Sequence, residues 1–374
     1  MTILIAPDKF KGSLTAVQVC EAVREGLLQQ NPDLKIVSIP MADGGEGTCE
    51  LLTNFFNGKK VEVEVKGPHF EIIKSSYGIS QDGTKAFIEM ANASGLQLVD
   101  PEKKNPLFTT TYGTGELIVH ALNQGVKQII MGIGGSGTTD GGMGMAEALG
   151  FRFYNANGEK IKSIGKNLIN LKRIESNHIN PQIKDVAFLA LCDVDNPLFG
   201  PYGAAFTYSL QKGADPAAVR LLDAGLQNFE RIVLNTFGIS ANFPGAGAGG
   251  GLAGGAKVFL NIQITRGMDF ILKTTNLADQ ISNANIIITG EGKVDKQTFA
   301  GKVVMEVAKL ASLCNKPTIV ICGVCELPSS DLRKMGISKV ISLLDEFTSA
   351  EEAQRNAYLL IKERVMKEYL LLLK

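Results

Sequence analysis

The sequence predicts an α/β protein of two domains, in which a doubly wound parallel-sheet domain of the flavodoxin or Rossmann type carries a second, mixed-sheet α/β domain as an insertion. Short apolar strands alternate with helices at both ends of the chain, whereas the middle has short strands with little helix between them. The length of 374 residues suits two domains. We place the doubly wound domain in residues 1–66 and 284–374, and the inserted domain in residues 67–283.

The N-terminal segment supplies the first strands and helices of the doubly wound domain. Residues 2–6 and 35–40 are short apolar runs, each followed by a glycine-containing loop. Helices are predicted over residues 13–29, where apolar side chains recur at helical spacing, and over residues 46–56. Short buried strands that alternate with helices indicate a parallel sheet covered on both faces.

The C-terminal segment repeats this alternation. Strands are predicted over residues 285–289, 318–322 and 339–344, with a helix over residues 303–310 after the first of them. The chain is expected to end on one long amphipathic helix from Glu351 to about Leu373.

The middle of the chain has a different pattern. Residues 60–65, 72–79 and 85–90 are short strands with partial alternation of apolar and polar side chains. Consecutive strands without intervening helices indicate an antiparallel or mixed sheet.

Charge and composition restrict the classes of partner. Lys plus Arg and Asp plus Glu each number 38, which removes the usual electrostatic reason to expect a nucleic-acid partner. No apolar run reaches the ~20 residues of a membrane span, and the N-terminus has no basic leader segment. We expect a cytoplasmic monomer or homodimer with no membrane partner. The Cys322-Gly-Val-Cys325 pair is interpreted as the end of a buried strand, because no helix opens directly after it.

Glycine is concentrated in loops that follow apolar strands. The chain has 41 glycines, and several loops combine them with hydroxyl and carboxylate side chains. Ligands of open α/β sheets bind at the carboxyl ends of the strands, where such loops lie. Glycine also lets backbone N–H groups approach an anion without interference from a Cβ. These loops are therefore the candidate site.

The first loop, APDKFKGS (residues 6–13), follows the first strand. Lys9 and Lys11 occupy positions where an anion would meet a helix N-terminus, and Ser13 adds a hydroxyl. We predict Lys9 as a catalytic residue and Lys11 and Ser13 as substrate or phosphate ligands. The alternative is two solvated lysines on a turn.

The second loop, MADGGEGT (residues 41–48), carries two carboxylates among three glycines. Asp43 is a candidate catalytic residue and Glu46 a candidate substrate ligand, and either could hold magnesium. The alternative is a simple turn at Asp43, followed by a carboxylate in the first turn of a helix.

The third loop, residues 131–144 after the strand 128–131, gives the strongest signal, because it combines seven glycines with Ser, Thr and Asp side chains. A purely structural loop rarely carries so many glycines, since each adds to the entropy cost of folding. The predicted phosphate ligands are Gly134, Gly135, Ser136, Gly137, Thr138 and Thr139.

The fourth loop, residues 244–255, contains a formal G-x-G-x-x-G pattern. Dinucleotide binding would require a strand before it, and residues 240–243 do not form one. We therefore reject an NAD-dependent oxidoreductase, and no segment matches the Walker pattern either. Gly247 and Gly249 are predicted as substrate or phosphate ligands.

Further carboxylates follow two buried strands. Phosphoryl transfer needs a metal that bridges phosphates, a cation near the migrating charge and an acceptor for the hydroxyl proton. Asp193 is predicted as catalytic and Glu291 as a substrate ligand, with Asp195 and Asp295 as metal ligands. The alternative is that Asp193 and Asp195 shape a turn before Pro197.

These segments together resemble the bacterial glycerate kinase family, and they span nearly the whole chain. The matching segments are APDKFKGS (residues 6–13), MADGGEGT (41–48), GIGGSGTTDGG (132–142), CDVDNPL (192–198), PGAGAGGGL (244–252) and TGEGKVD (289–295). One departure is Gly250, where alanine is expected. The resemblance implies ATP-dependent phosphorylation of glycerate with magnesium, giving 2-phosphoglycerate by preference or 3-phosphoglycerate.

One alternative from another class is a non-catalytic sensor that binds a sugar acid or a phosphate. It is disfavoured by the acidic residues of the loops, because a module that binds only an anion would not place Asp43, Asp193 and Asp195 there without a metal. For the enzyme, we expect glycerate and ATP to meet in a cleft between the two domains.

Overall fold

The structure, a computed structural model, describes residues 1–42, 45, 47–296, 298, 302–345 and 349–372. Its strands are β1 (Thr2–Ile5), β2 (Lys35–Ser38), β3 (Lys59–Lys66), β4 (Ile72–Ile79), β5 (Lys85–Glu89), β6 (Gln128–Gly132), β7 (Arg152–Tyr154), β8 (Arg173–Glu175), β9 (Ala187–Leu191), β10 (Gln263–Thr265), β11 (Ile286–Val294), β12 (Thr318–Cys325) and β13 (Ile337–Ser342). Its helices are α1 (Ala16–Gln30), α2 (Thr48–Phe55), α3 (Ala91–Ser94), α4 (Tyr112–Asn123), α5 (Met143–Ala148), α6 (Ala204–Tyr208), α7 (Pro216–Phe237), α8 (Leu252–Leu260), α9 (Gly267–Thr274), α10 (Leu277–Asn283), α11 (Val303–Leu313), α12 (Ser329–Lys334), α13 (Ala350–Arg355) and α14 (Ala357–Leu372).

The α/β class predicted from the sequence is confirmed, and the chain divides into two compact units. The first unit comprises residues 1–43 and 268–374, and the second comprises residues 44–267. The sequence prediction placed these boundaries at residues 66 and 284. Residues 59–66 group with the second unit because β3 pairs along its whole length with β4, and a sequence does not reveal such a pairing.

The first unit is built on a five-stranded parallel sheet with the order β13-β12-β11-β1-β2. Counted within the unit, this order is 2-1-3-4-5, which is the flavodoxin-like arrangement. Its switch point lies between β1 and β11, which pair in parallel from Ile3–Ile286 to Ile5–Ile288. Ligands of such sheets bind outside the carboxyl ends of the strands at this point.

The prediction of one long helix at the C-terminal end is wrong. The C-terminal segment forms two helices, α13 and α14, because the chain leaves helical geometry at Asn356. α14 packs closely on α1, where a Cβ at Gly26 would lie 2.7 Å from the carbonyl oxygen of Lys362. The interpretation of Cys322 and Cys325 as the end of a buried strand is confirmed, since β12 runs through Cys325 and both thiols are free.

The second unit is built on a six-stranded mixed sheet with the order β10-β9-β6-β5-β4-β3. β5, β6, β9 and β10 run parallel, while β3, β4 and β5 pair antiparallel. This arrangement confirms the mixed sheet predicted for the middle of the chain. The parallel strands bring the loops after β5, β6 and β9 to one edge of the sheet.

Among the described residues, no helix has the length and apolar character that a membrane crossing requires.

Candidate active site

The first unit has a cavity of about 560 Å³ at the switch point of its sheet. The loop after β1 and the end of β11 form part of its wall. Four lysines line the cavity: Lys9, Lys11, Lys293 and Lys302. Asp8 and Glu291 also line it, so positive charge is in excess and the cavity is suited to an anion.

The loop after β1 is held against β11 by the backbone. The N–H of Ala6 donates to the carbonyl of Ile288 at 2.7 Å, and the N–H of Asp8 donates to that of Gly290 at 2.8 Å. At Gly292 a Cβ would lie 3.3 Å from the nitrogen of Lys11, so this glycine permits the close approach of the two segments. Lys9 and Lys11 thereby line the cavity, and their roles as catalytic residue and anion ligand stay predictions.

Ser13 lies in the same wall, but its hydroxyl already has a partner. Its Oγ donates to the carbonyl oxygen of Gln354 at 2.5 Å, and the side chain of Gln354 donates back to the carbonyl of Gly12 at 2.9 Å. Gly12 has φ +75°, a conformation that side-chain-bearing residues rarely adopt. These contacts join the loop to α13, and a ligand role for Ser13 stays a prediction.

Glu291 is nearly buried in the cavity wall, with 6% of its surface exposed. Burial raises the pKa of its carboxyl, and this effect is opposed by a hydrogen bond from the Thr298 hydroxyl at 2.8 Å and by the Lys302 ammonium at 3.1 Å. Glu291 therefore holds Lys302 at the cavity. Sequence reasoning missed Lys302 because it lies beyond the glycine-rich segment.

Asp295, predicted as a metal ligand, lies beside a lysine. The Lys293 ammonium is 3.6 Å from its carboxylate and 2.9 Å from that of Glu326. The Lys293 ammonium thus already places a positive charge beside the Asp295 carboxylate in this structure. Metal binding by Asp295 stays a prediction.

In the second unit, the tip of the third glycine-rich loop is accessible at the edge of the sheet. Gly135 is exposed, and Gly134 and Ser136 are partly exposed. The tip is tied to the loop after β5, because the carbonyl of Gly135 accepts from the N–H of Leu96 at 2.8 Å. Gly137 donates to the carbonyl of Ser94, also at 2.8 Å. Residues 134–136 are the part of this loop that a phosphate can reach.

The remainder of the loop is buried and organised around Asp140. This carboxylate is fully buried and accepts from the N–H and hydroxyl of Thr111 at 2.7 and 2.8 Å, and from the N–H groups of Gly142 and Gly144 at 3.1 Å. Burial raises the pKa of Asp140, and these hydrogen bonds oppose the shift. The side chains of Thr138 and Thr139 are buried beside it, so only a rearrangement would bring them to a ligand.

Lys212 is a residue that sequence reasoning missed. It is 2% exposed, and its ammonium donates to the Ser136 hydroxyl at 2.7 Å and to the carbonyl of Thr138 at 2.6 Å. Burial lowers the pKa of this amine to about 7, an effect that Asp140 partly opposes. Nothing in the local sequence, Leu-Gln-Lys-Gly, distinguishes Lys212 from a surface lysine.

The fourth glycine-rich loop packs on the third, backbone against backbone. Gly250 has φ +70°, and a Cβ there would lie 2.0 Å from the carbonyl oxygen of Thr138. Alanine at this position is therefore incompatible with the observed packing, although the resemblance led us to expect it. Residues 240–243 form no strand before the loop, so the strand that a dinucleotide-binding fingerprint requires is missing here, as the sequence predicts.

The predicted ligands Gly247 and Gly249 occupy equally tight positions in this fourth loop. A Cβ at Gly247 would lie 2.5 Å from the carbonyl oxygen of Pro197, and one at Gly249 would lie 2.7 Å from the side chain of Ile133. Close packing thus explains both glycines without a ligand, and their role in phosphate binding stays a prediction.

Asp193 and Asp195 follow β9 and are both exposed at the edge of the sheet. The carboxylate of Asp193 accepts the N–H of Gly267 at 3.0 Å, which fixes its orientation. This contact is also what a turn residue would make, so the geometry is compatible with both interpretations that the sequence left open.

Asp43 and Glu46 lie outside the described residues. Among the residues that the structure does describe, no three His, Cys, Asp or Glu side chains are placed to hold a metal together. Magnesium in nucleotide sites is commonly bound by one or two carboxylates with the remaining ligands from phosphates and water. The exposed pair Asp193 and Asp195 fits that smaller requirement.

A lysine-lined cavity at the switch point of a flavodoxin-like sheet, and a glycine-rich loop at the edge of a mixed sheet, define an α/β enzyme that acts on small anions. The comparisons identify the class more closely. A model of the glycerate kinase family matches residues 3–371. The chain therefore belongs to the glycerate kinase family, and it is a kinase.

Individual relatives agree over almost the full length. A glycerate kinase of Halalkalibacterium halodurans is 44% identical over 97% of this chain and 96% of its own length. A glycerate 2-kinase of Escherichia coli is 42% identical over 96% of this chain and 94% of its own. A crystal structure described as glycerate kinase 2 from Salmonella typhimurium LT2 has a TM-score of 0.89 and 38% identity, and covers 100% of this chain and 98% of its own. These relatives confirm the predicted family and the enzyme class, in place of a sensor.

Proposed function

We propose that this enzyme transfers the terminal phosphoryl group of ATP to glycerate, with the 2-hydroxyl as the preferred acceptor. The lysine-lined cavity at the switch point carries the proposal, because glycerate and its phosphorylated product are both anions. The preference for the 2-hydroxyl is supported by the name of the Escherichia coli relative. Because the reaction consumes ATP, we place the enzyme in the cytoplasm. We further propose that it is a monomer or a homodimer.

The proposed roles follow the charges of the described residues. Lys9 and Lys11 bind the carboxylate or the transferred phosphate, and Glu291 orients Lys302 beside them. Residues 134–136, the accessible tip of the third loop, bind the phosphates of ATP through backbone N–H groups. Asp193 orients the acceptor hydroxyl and takes up its proton.

Magnesium fits the carboxylate chemistry of the loop after β9. Asp195 would hold it, and the sequence also predicts Asp295 as a metal ligand. When bound, magnesium neutralises charge on the phosphates. The protein side chains supply the orientation of both substrates.

Two measurements test this function. ADP formation should require both glycerate and ATP, and it should stop when magnesium is chelated. Proton-coupled phosphorus NMR of the product then identifies the acceptor: a phosphate on C2 couples to one proton and gives a doublet, while one on C3 gives a triplet. A triplet would overturn the preference for the 2-hydroxyl, and ADP formation independent of glycerate would overturn the function.

Replacing Gly135 with Val is expected to raise the KM for ATP about tenfold while the KM for glycerate changes little. Gly135 is exposed at the loop tip with φ +68°, so valine adds both strain and a side chain where phosphates should approach. Steady-state kinetics with each substrate varied in turn provides the check. Gly238→Val is a matched control, because Gly238 has φ +70° at the end of α7 and open space around it. Equal effects on both KM values would contradict the assignment.

Asp193→Asn is expected to lower kcat about tenfold with a small change in folding stability. The amide keeps the shape and can still accept the N–H of Gly267, while the negative charge is lost. The effect is moderate because phosphoryl transfer through a loose transition state needs little base catalysis. Asp185→Asn, on the exposed segment before β9, serves as the control. Unchanged kcat and unchanged magnesium dependence would identify Asp193 as a turn residue only.

A further inference from the structure

A second cavity, of about 390 Å³, lies in the second unit at the turn between β3 and β4. Its walls come from that turn, from the start of α4 and from residues 160–162. Three lysines line it, Lys66, Lys160 and Lys162, together with the aromatic rings of Phe70 and Tyr112. None of these residues belongs to the glycine-rich loops or to the lysine-lined cavity of the first unit.

Phe70 adopts an unusual backbone conformation at this cavity. Its φ is +67°, whereas the other described residues with positive φ are glycines and asparagines. A bulky side chain in this region is a genuine outlier, and such strain is concentrated at ligand-binding and active sites. The turn needs a residue in this conformation, because the N–H of Gly67 bonds the carbonyl of Glu71 at 2.7 Å and the N–H of Phe70 bonds that of Gly67 at 3.0 Å. Asparagine or glycine would satisfy the turn without strain, so the ring itself requires an explanation.

The ring of Phe70 organises the cavity. The Lys162 ammonium lies 4.2 Å from its centroid, and the Tyr112 ring packs against it at 5.9 Å. Burial raises the pKa of the Tyr112 hydroxyl, which keeps it protonated as a hydrogen-bond donor. Phe70 thus positions one cation and one neutral donor at the same cavity.

The charge of the cavity favours a doubly negative ligand. Against the three lysines stands one carboxylate in the lining, Glu147, which lies 2.7 Å from the Lys160 ammonium. The lining residues therefore carry a net positive charge of about two, and beside them the Arg152 guanidinium offsets the Glu116 carboxylate that also acts on Tyr112. This charge matches a phosphate monoester at neutral pH. Lysine binds phosphate as a point charge, without the planar geometry that arginine would impose.

We propose that this cavity binds a small phosphate monoester at a site separate from the glycine-rich loops. Tyr112 directly follows Thr111, which binds the buried carboxylate of Asp140 through both its N–H and its hydroxyl. A ligand that contacts Tyr112 is therefore connected, through Thr111 and Asp140, to the loop that we assign to ATP. Occupation of the cavity should change the KM for ATP.

The absence of tryptophan from the sequence allows a direct test. Tyr112→Trp introduces a single tryptophan in the cavity wall, and its fluorescence should change saturably when 2-phosphoglycerate or AMP is added. These two probes separate the sources of the ester, since one is the proposed product and the other a nucleotide. The fluorescence reports binding without catalysis, and the lysine variants of this cavity distinguish a ligand bound here from one bound at the proposed active site.

Charge variants in the same background decide the assignment. Lys160→Gln combined with Lys162→Gln should weaken binding at least about tenfold, while Glu147→Gln should tighten it several-fold. In the chain with native Tyr112, the amide NMR shifts of Lys66, Gly67 and residues 69–71 should move saturably with the same probe. Phe70→Asn, which suits a positive φ, should abolish this movement while leaving the fold intact.

The proposal is overturned if neither the fluorescence nor the amide shifts respond, or if binding survives the double lysine change. Equal affinity for inorganic phosphate and for both esters would also overturn it, because the ester body would then contribute nothing. Initial rates with saturating ester complete the test. Both esters can also occupy the active site, so the comparison is between proteins: a larger change in the KM for ATP in the wild type than in the double lysine variant supports the link to the loop. An equal change in both proteins, or no change in either, overturns the link.

Discussion

Replacing Lys9 with Met is expected to lower kcat/KM for glycerate by about 100- to 1000-fold, the usual effect of removing one charged or hydrogen-bonding group from a site of developing charge. Lys9 lines the cavity at the switch point, directly after β1. Methionine is unbranched and close to lysine in length, and it removes the charge and the hydrogen-bond donors of the ammonium group. The backbone N–H of residue 9, which donates to the Asp8 carboxylate at 2.7 Å, is unaffected, so the loop should retain its shape.

Steady-state kinetics and thermal unfolding together check this expectation. The control is Lys309→Met, an exposed lysine on α11 in the same unit that lies outside the cavity lining. Both variants should unfold within a few degrees of the wild type, and only the Lys9 variant should lose activity. Near-normal turnover in the Lys9 variant would remove it from the site, whereas a parallel loss of activity in both variants would indicate a general effect of surface charge.

The sequence was most informative where chemically distinctive side chains directly follow a predicted strand. The loop after β1 was predicted from two lysines beside an apolar strand, and the structure places both in a cavity at the switch point. Strand patterns also predicted both sheets. The parallel sheet was predicted because burial on both faces leaves a continuous apolar run, and the mixed sheet because its strands follow one another with little helix between them. These signals are local, so a single segment is enough to detect them.

What the sequence could not reveal depends on contacts between distant segments. Lys212 and Ser136 are 76 positions apart, and neither flanking segment records that they touch. The same limit explains why the sequence did not reveal how the glycines of the third and fourth loops pack against each other. Sequence reasoning attributed them to phosphate binding, while Gly250 shows that at least part of their role is close backbone packing.

The pH dependence of stability should identify Lys212 as a buried amine. Its pKa is lowered from 10.5 to about 7 because burial disfavours the charged form. Between these two pH values the unfolded chain binds one more proton than the folded chain, so the free energy of unfolding rises as pH increases. From pH 6 to pH 8.5 the gain from this group is about 2 kcal/mol, at ~1.4 kcal/mol per pH unit above pH 7.

Lys212→Met should remove this pH-dependent gain, and urea unfolding of the wild type and the variant across the same range provides the measurement. The range ends at pH 8.5 because burial raises the pKa of Cys20 and Cys49, and the loss of their protons in the unfolded chain would lower stability at higher pH. The exposed Lys184→Met is the control and should retain the wild-type slope. The variant should also show a raised KM for ATP, because the Ser136 hydroxyl loses its donor at the loop tip. A Lys212→Met variant whose stability follows the wild-type pH profile would show that the amine is charged in the folded chain, and burial would then not set its protonation state.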